Sequence, residues 1–316
     1  MNQGWIYRER VASIDAGQTV LDYYSNKYKH STKVEWQERI AAGWVLLNGQ
    51  PVSQATIVKH KDRLAYHRQP WIEPKVPLEF KVVYEDRELL VINKPSGLPV
   101  LPGGGFLEHT LLSQLKKHYP NSTPVPIHRL GRGTSGLMLL ARSPLAKSHL
   151  TQQIRNSTSR QDRSQISKVY RVLVSGSIPD CLTITQAIGK IPHPVLGYIY
   201  GATPEGKPAN SECRAIARYP NCTLLEVEIF TGRPHQIRIH LAAMGYPLLG
   251  DPLYVAGGTF AEITCDRRSI PVPGDCGYFL HAYRLSFTHP QTLQQMSFKC
   301  SVPQRWYTVC HTKSCW

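Results

Sequence analysis

From about residue 78 onward the chain consists of short β-rich runs separated by glycine and proline, with a few helical segments between them. In one run Leu225, Val227 and Ile229 alternate with glutamates, which is the two-residue period of a strand with one buried face. Many short strands interrupted by turn residues favour an α+β fold built on a mostly antiparallel sheet. The predicted strands are 80–84, 89–93, 137–141, 169–174 and 224–230.

Helical signals occur in three parts of the same region. Leu111, Leu115 and Tyr119 recur at four-residue spacing, and Ser143-Pro144 offers an N-cap followed by proline at the first helical position. The resulting predictions are helices over 111–119, 144–154 and 231–245, and surface loops over the polar stretches 156–165 and 256–277.

The region before residue 78 is predicted to be a separate small domain. Residues 69–77 include three prolines, and because the residue before a proline is held in extended backbone, this stretch is a linker. We place the domains at 1–75 and 78–316. In the first, 34–43 has apolar positions at helical spacing, and 44–52 is a hairpin turned at Asn48-Gly49. These signals predict a small α/β module.

The charge balance indicates the class of partner. The chain has 37 Lys and Arg residues against 22 Asp and Glu, a formal charge of +15. Such an excess favours a polyanion, because each phosphate contact releases counterions, and nucleic acid is the expected partner. A basic surface that only aids solubility is the alternative.

Other classes are disfavoured by what the chain lacks. No apolar run reaches the roughly 18 residues of a membrane helix, so no membrane association is expected. The eight cysteines include no Cys-x-x-Cys pair, which argues against a zinc ribbon and a disulfide framework. The N-terminus shows no secretory signal. We therefore expect a cytoplasmic protein that needs no metal.

Four blocks of sequence, taken in order, carry a family resemblance. The most informative is the run 128–136, HRLGRGTSG. A second block is 83–100, which contains Lys94-Pro95, and a third is 168–176, which contains Tyr170. The fourth block begins with TGRPHQIRIHL at 231–241 and continues in 245–251 and 279–282. Over about residues 80–290 these blocks resemble the RluA-type pseudouridine synthases. The resemblance implies that family's fold, an rRNA or tRNA substrate and no cofactor, and we expect a monomer.

The first domain carries a looser resemblance. Its helix, glycine, Asn-Gly turn and the later run 59–62 are similar to a small RNA-binding module shared with a ribosomal small-subunit protein. A purely structural extension is the alternative.

Isomerising a uridine requires that the base leave the helix and enter a closed pocket, at a cost of a few kcal/mol that stacking and hydrogen bonds offset. The resemblance places the Tyr170 ring against the uracil and Arg129 in the vacated space, where its guanidinium can contact phosphate. It also implies that Arg238 holds a catalytic acid ionised. The expected RNA-binding residues are His128, Arg129, Arg132 and Arg233.

The family pattern has an aspartate where this chain has Gly131, so the group that attacks or deprotonates the sugar is missing from its usual place. Two interpretations stay open. The acid comes from another position, with Asp86, Glu85 and Asp251 as candidates, or the fold binds RNA without catalysis. With no acid at position 131, Arg238 is expected to face no carboxylate there and to remain a cation for RNA phosphate or water.

Overall fold

The computed structural model describes residues 1–158, 166–257 and 270–311. The chain forms two compact units, Met1–Glu73 with Pro192–Ile199, and Pro74–Ile191 with the described residues from Tyr200 onward. Each unit contains a buried apolar cluster of its own.

The first unit combines a small sheet with two helices. Its strands lie in the order β1-β4-β2-β3, and all of these pairings are antiparallel. The elements are β1 (Trp5–Arg10), α1 (Val20–Lys27), α2 (Lys33–Ala41), β2 (Val45–Leu47), β3 (Gln50–Pro51) and β4 (Arg63–Arg68).

Helix α2 and the hairpin after it form where the sequence predicts them. The Thr32 side chain accepts from the backbone nitrogen of Glu35, whose carboxylate accepts from the backbone nitrogen of Thr32, so a capping box starts the helix. Asn48 and Gly49 have φ values of 51° and 88°, the left-handed backbone that a two-residue hairpin turn requires. The sequence predictions do not include β1, α1 or β4.

The second unit contains the larger sheet. Its strands are β5 (Lys81–Glu85), β6 (Leu89–Lys94), β7 (Val125–Pro126), β8 (Ser135–Ala141), β9 (Ile166–Ser175), β10 (Cys181–Ile184), β13 (Ser211–Arg218), β14 (Cys222–Ile229), β15 (Leu280–Thr288) and β16 (Gln295–Lys299). Its helices are α3 (Leu111–His118), α4 (Pro144–Thr158), α5 (Gln236–Ala243) and α6 (Arg305–His311). A separate hairpin pairs β11 (Ile188–His193) with β12 (Gly197–Ala202).

The large sheet runs in the order β10-β13-β14-β9-β15-β8-β6-β5, with β16 on β15 and β7 on β8. In the described residues β15 pairs with β8 in parallel, and the other pairings of this sheet are antiparallel. The predicted α+β fold with a mostly antiparallel sheet is therefore confirmed.

Both faces of the sheet are covered. On β8, Met138 and Leu140 pack into the apolar cluster that includes helices α3 and α5, whereas Leu137 and Leu139 pack into the cluster that includes α4. All seven residues of β8 are buried, which is typical of a central strand. The run 128–136 leads directly into this strand, so the loop is attached to a fully buried part of the sheet.

Two predictions of local structure need correction. Residues 156–158 belong to α4, so the loop predicted over 156–165 begins too early, and 159–165 and 258–269 lie outside the described residues. The helix predicted from Thr231 begins at Gln236, because His235 is in left-handed backbone with φ 55°. The Gln236 side chain closes the turn before the helix by accepting from Thr231 Oγ1 and from the backbone nitrogen of Arg233.

Within the described ranges, no helix combines the length and apolar character needed to cross a membrane. The same residues contain no group of three His, Cys, Asp or Glu side chains placed to hold a metal ion.

Candidate active site

The run 128–136 forms a loop between β7 and β8. The loop tightens into a turn in which the backbone nitrogen of Thr134 donates to the carbonyl oxygen of Gly131 at 3.1 Å. His128 lies at its start, and Nε2 of this ring accepts from the backbone nitrogen of Leu139 at 3.1 Å. Burial, together with the charge of Lys168, lowers the pKa of His128 to about 4. A neutral imidazole that accepts from the backbone of β8 supports the loop, and its contact with RNA stays a prediction.

The Lys94-Pro95 turn holds the same loop through its backbone carbonyls. Lys94 is fully buried, and its Nζ donates to the carbonyl oxygens of Pro95 and Leu98, both at 2.8 Å, and to that of Arg132 at 3.3 Å. Ser96 Oγ donates to the carbonyl oxygen of Gly133 at 2.6 Å. These bonds fix the backbone position of residues 132 and 133.

Tyr278 occupies the space next to the two glycines of the loop. A Cβ built on Gly131 would lie 2.9 Å from the Tyr278 hydroxyl oxygen, and one built on Gly133 would lie 2.8 Å from the ring carbon Cζ. Tyr278 is buried, with 1% of its surface exposed, and its hydroxyl is 3.4 Å from Thr134 Oγ1. One aromatic side chain, that of Tyr278, therefore occupies the space that side chains at positions 131 and 133 would need.

Arg238, on helix α5, has a carboxylate partner. Its Nε and one terminal nitrogen bind the two oxygens of Asp251 at 2.6 and 2.8 Å, and its other terminal nitrogen donates to the carbonyl oxygen of Pro273 at 3.0 Å. The guanidinium carbon lies 4.2 Å from the ring centre of Tyr278 and 4.9 Å from that of Tyr254. The expectation that Arg238 remains available for phosphate or water is wrong, because a fully desolvated guanidinium must be paired and Asp251 pairs it.

Charge also links Arg129 to this region. Burial and then the charge of Arg238 lower the pKa of His235 to about 4, with Asp251 acting in the opposite direction and Arg129 adding to the lowering. His235 Nδ1 lies 3.4 Å from a terminal nitrogen of Arg238. The Arg129 side chain is exposed, and the described residues provide it with no hydrogen bond or ion pair. Arg129 and Arg238 thus both act on the pKa of His235, whereas the hydrogen-bond donors of Arg129 have no partner in the described residues.

Tyr170 lies on β9 in the apolar cluster that also contains Leu130, Ile237 and Tyr278. Burial leaves 8% of its surface exposed and raises its pKa to about 12, so the phenol is neutral at physiological pH. Tyr170 and the 128–136 loop thus share one face of the sheet.

Arg132 and Arg233 each form one hydrogen bond to the protein through the Nε atom. Arg132 Nε donates to the carbonyl oxygen of Gly274 at 2.6 Å, and Arg233 Nε donates to that of Pro208 at 2.9 Å. Within the described part of the chain neither guanidinium has an ion pair, so the terminal nitrogens of both remain for an outside acceptor.

The three candidate acids each have partners within the protein. Asp86 accepts from the backbone nitrogens of Glu88 and Leu89 and from Tyr84 and His289, so it caps the turn between β5 and β6. Glu85 pairs with Arg142 at 2.8 Å. Asp251 has none of its side chain exposed and also accepts from the backbone nitrogens of Leu253 and Tyr254.

Sequence reasoning missed Tyr278, the residue that fills the space beside the loop. The pair of glycines at positions 131 and 133 is the available signal, because two positions without side chains on one loop leave room for a large neighbour. The identity of that neighbour is not visible in the sequence, since Tyr278 follows Thr134 by 144 residues.

Comparisons with known proteins agree on the family. A family model described as RNA pseudouridylate synthase matches residues 88–243. An uncharacterized RNA pseudouridine synthase of Synechocystis is 49% identical over 90% of this chain and 94% of its own length. RNA pseudouridine synthase 5 of Arabidopsis thaliana is 42% identical over 90% of this chain and 89% of its own length.

A solved structure agrees in fold. Human RNA pseudouridylate synthase domain containing 1 superposes with a TM-score of 0.55 at 23% identity, covering 73% of this chain and 87% of that one. The sequence matches agree with the motif blocks, the sheet and the loop 128–136. The chain therefore belongs to the RNA pseudouridine synthase family and is of the RluA type.

Proposed function

We propose that this chain isomerises uridine to pseudouridine in a structured RNA, ribosomal or transfer. The observation that carries the proposal is the arrangement of Tyr170, Arg238 and the 128–136 loop around one apolar cluster, with the unpaired cation Arg129 on the same loop. A neutral ring in an apolar setting suits a flat uncharged base, and a free guanidinium suits phosphate.

Each side chain has a defined task in this reaction. Tyr170 stacks on the extruded uracil, and its raised pKa keeps it neutral against the ring. Arg129 fills the space that the base leaves and contacts the backbone phosphate, which offsets part of the few kcal/mol needed for flipping. Arg238 is paired with Asp251, so its task is to support the ring of Tyr278 beside the loop.

RNA phosphate contacts extend from the loop to α5. The terminal nitrogens of Arg132 and Arg233 face no protein carboxylate in the described residues, and the chain as a whole has an excess of 15 positive charges. Such contacts position an RNA without reading its sequence, so we propose that they supply affinity more than selectivity.

The test is release of tritium from RNA labelled at C5 of uracil, since formation of a carbon-carbon bond at C5 displaces its hydrogen. We expect release above a buffer blank with ribosomal or transfer RNA as substrate. RNA binding without release would contradict the proposal and favour a protein that binds RNA without catalysis.

The first domain is proposed to add RNA affinity. Deleting residues 1–75 is expected to weaken RNA binding and to lower its salt dependence, because phosphate contacts are lost. Unchanged affinity and unchanged salt dependence would contradict this part of the proposal. The monomeric state, the cytoplasmic location and the lack of a cofactor stay predictions of the sequence.

A further inference from the structure

The space where the family's acid belongs is filled by an ionisable oxygen. An aspartate at position 131 would place its Cβ 2.9 Å from the Tyr278 hydroxyl oxygen, so a side chain at this position requires that hydroxyl to move. The same ring excludes a side chain at Gly133, where a Cβ would lie 2.8 Å from Cζ. The two glycines of the loop therefore provide the space that the Tyr278 side chain occupies.

No carboxylate competes for this position among the candidates. Asp251 is fully buried and has both oxygens occupied by Arg238 and by two backbone nitrogens. Asp86 and Glu85 are bound at the β5–β6 turn and to Arg142. Thr134 Oγ1 lies 3.3 Å from the same built Cβ, yet an aliphatic hydroxyl does not ionise in the range where a phenol does.

We propose that the hydroxyl oxygen of Tyr278 performs the task that a carboxylate at position 131 would perform, as the base that opens the glycosidic bond. This inference rests on the proposed function, because it names the residue that carries out that reaction.

The step balances with no additional reactant. The phenolate oxygen takes the proton from C2′ of the ribose, the C2′–H pair becomes a C1′–C2′ double bond, and the N1–C1′ bond breaks with its electron pair on the uracil. After the ring turns, C5 bonds to C1′ while C2′ takes the proton back from the phenol. Loss of the C5 proton and protonation of N1 complete an isomer of the starting nucleoside.

Arg238 supports this assignment through its position. Its guanidinium carbon lies 4.2 Å from the Tyr278 ring centre, where a positive charge stabilises the ionised ring. Burial nevertheless raises the pKa of Tyr278, with the charge of Arg238 opposing the rise. The ionised fraction is therefore small at neutral pH and grows as the solution becomes more alkaline.

The experiment compares the full-length chain with Tyr278→Phe, which keeps the ring and removes the oxygen. Tyr254→Phe is the matched control, since Tyr254 packs on the same guanidinium but its hydroxyl donates to the backbone carbonyl of Tyr200 at 2.7 Å, away from the loop. Tritium release, RNA affinity and melting temperature are measured for all three proteins.

We expect Tyr278→Phe to lower the rate of release by about 100-fold or more, the scale of a lost general base, with RNA affinity unchanged. Tyr254→Phe is expected to keep its rate within about threefold, so that a loss in Tyr278→Phe alone separates chemistry from packing. A Tyr278→Phe protein that releases tritium as fast as the unmodified chain overturns the assignment and leaves the proposed function intact. An unmodified chain with no release overturns both.

A second readout is the pH profile of the unmodified chain. Release catalysed by a phenolate rises by about tenfold per pH unit below the pKa of the phenol, whereas release catalysed by a carboxylate is level above about pH 6. A level profile between pH 7 and pH 9 would overturn the assignment even if Tyr278→Phe were too unstable to measure.

Discussion

Two kinds of basic side chain surround the same loop, and they differ in what they bind. Arg238 and Lys94 are buried, and each has protein acceptors at hydrogen-bonding distance. Arg129 and the ends of Arg132 and Arg233 have no protein anion in the described residues. A buried polar group must be hydrogen-bonded or paired within the protein, whereas an exposed charge can bind a ligand. The first group therefore stabilises the site and the second is available for RNA.

The largest expected effect comes from breaking the buried ion pair. Arg238→Met leaves Asp251 unpaired in a dry setting, and we expect the free energy of unfolding to fall by about 3–5 kcal/mol. Denaturant unfolding measures this. Arg238→Met with the stability of the unmodified chain would show that the pair is not a structural requirement.

Lys94→Met is expected to have the next largest effect. It removes the donor from the carbonyl oxygens of Leu98 and Arg132, and a buried acceptor left without a partner costs about 1–3 kcal/mol. The loop should loosen as well, so hydrogen exchange at residues 131–134 should speed up more than exchange in β14. Uniform exchange changes would indicate that Lys94 has no special link to the loop.

Local features of the structure were predictable from the sequence, whereas the pairing of distant side chains was not. The alternation of Leu225 and Val227 with glutamates predicted β14, and the Asn48-Gly49 pair predicted a hairpin, because both signals are local. The pairing of Arg238 with Asp251 was not predicted, although Asp251 lies only 13 residues away, because nothing local reveals that a turn brings the two together.

The candidate site was predictable to a similar degree. The resemblance located Tyr170 and the loop around Gly131, and the structure places both on one face of the sheet. Tyr278 was missed because its contact with the loop depends on the pairing of β15 with β8, a long-range feature of the sheet.

Arg129→Gln should act on binding without acting on stability. We expect an unchanged melting temperature, weaker RNA binding, and a plot of log affinity against log salt whose slope is smaller by about 1, the value for one lost phosphate contact. Arg87→Gln, which removes an exposed arginine outside the loop, is the charge-matched control. An equal loss in both variants would mean that Arg129 contributes only general charge.

The smallest expected effect belongs to Arg132→Gln and Arg233→Gln. Each guanidinium is already held at Nε by a backbone carbonyl, and exposed substitutions of this kind change stability by about 0.5 kcal/mol or less. RNA affinity should fall less than in Arg129→Gln. A larger fall would place the main phosphate contact at one of these two residues.

The most direct measurement is a nucleoside analysis of RNA after incubation with the purified chain. Digestion to nucleosides and separation by chromatography distinguishes uridine from its isomer. We expect a pseudouridine peak whose amount grows with time and with protein concentration. RNA that binds the protein yet yields only uridine would contradict this expectation.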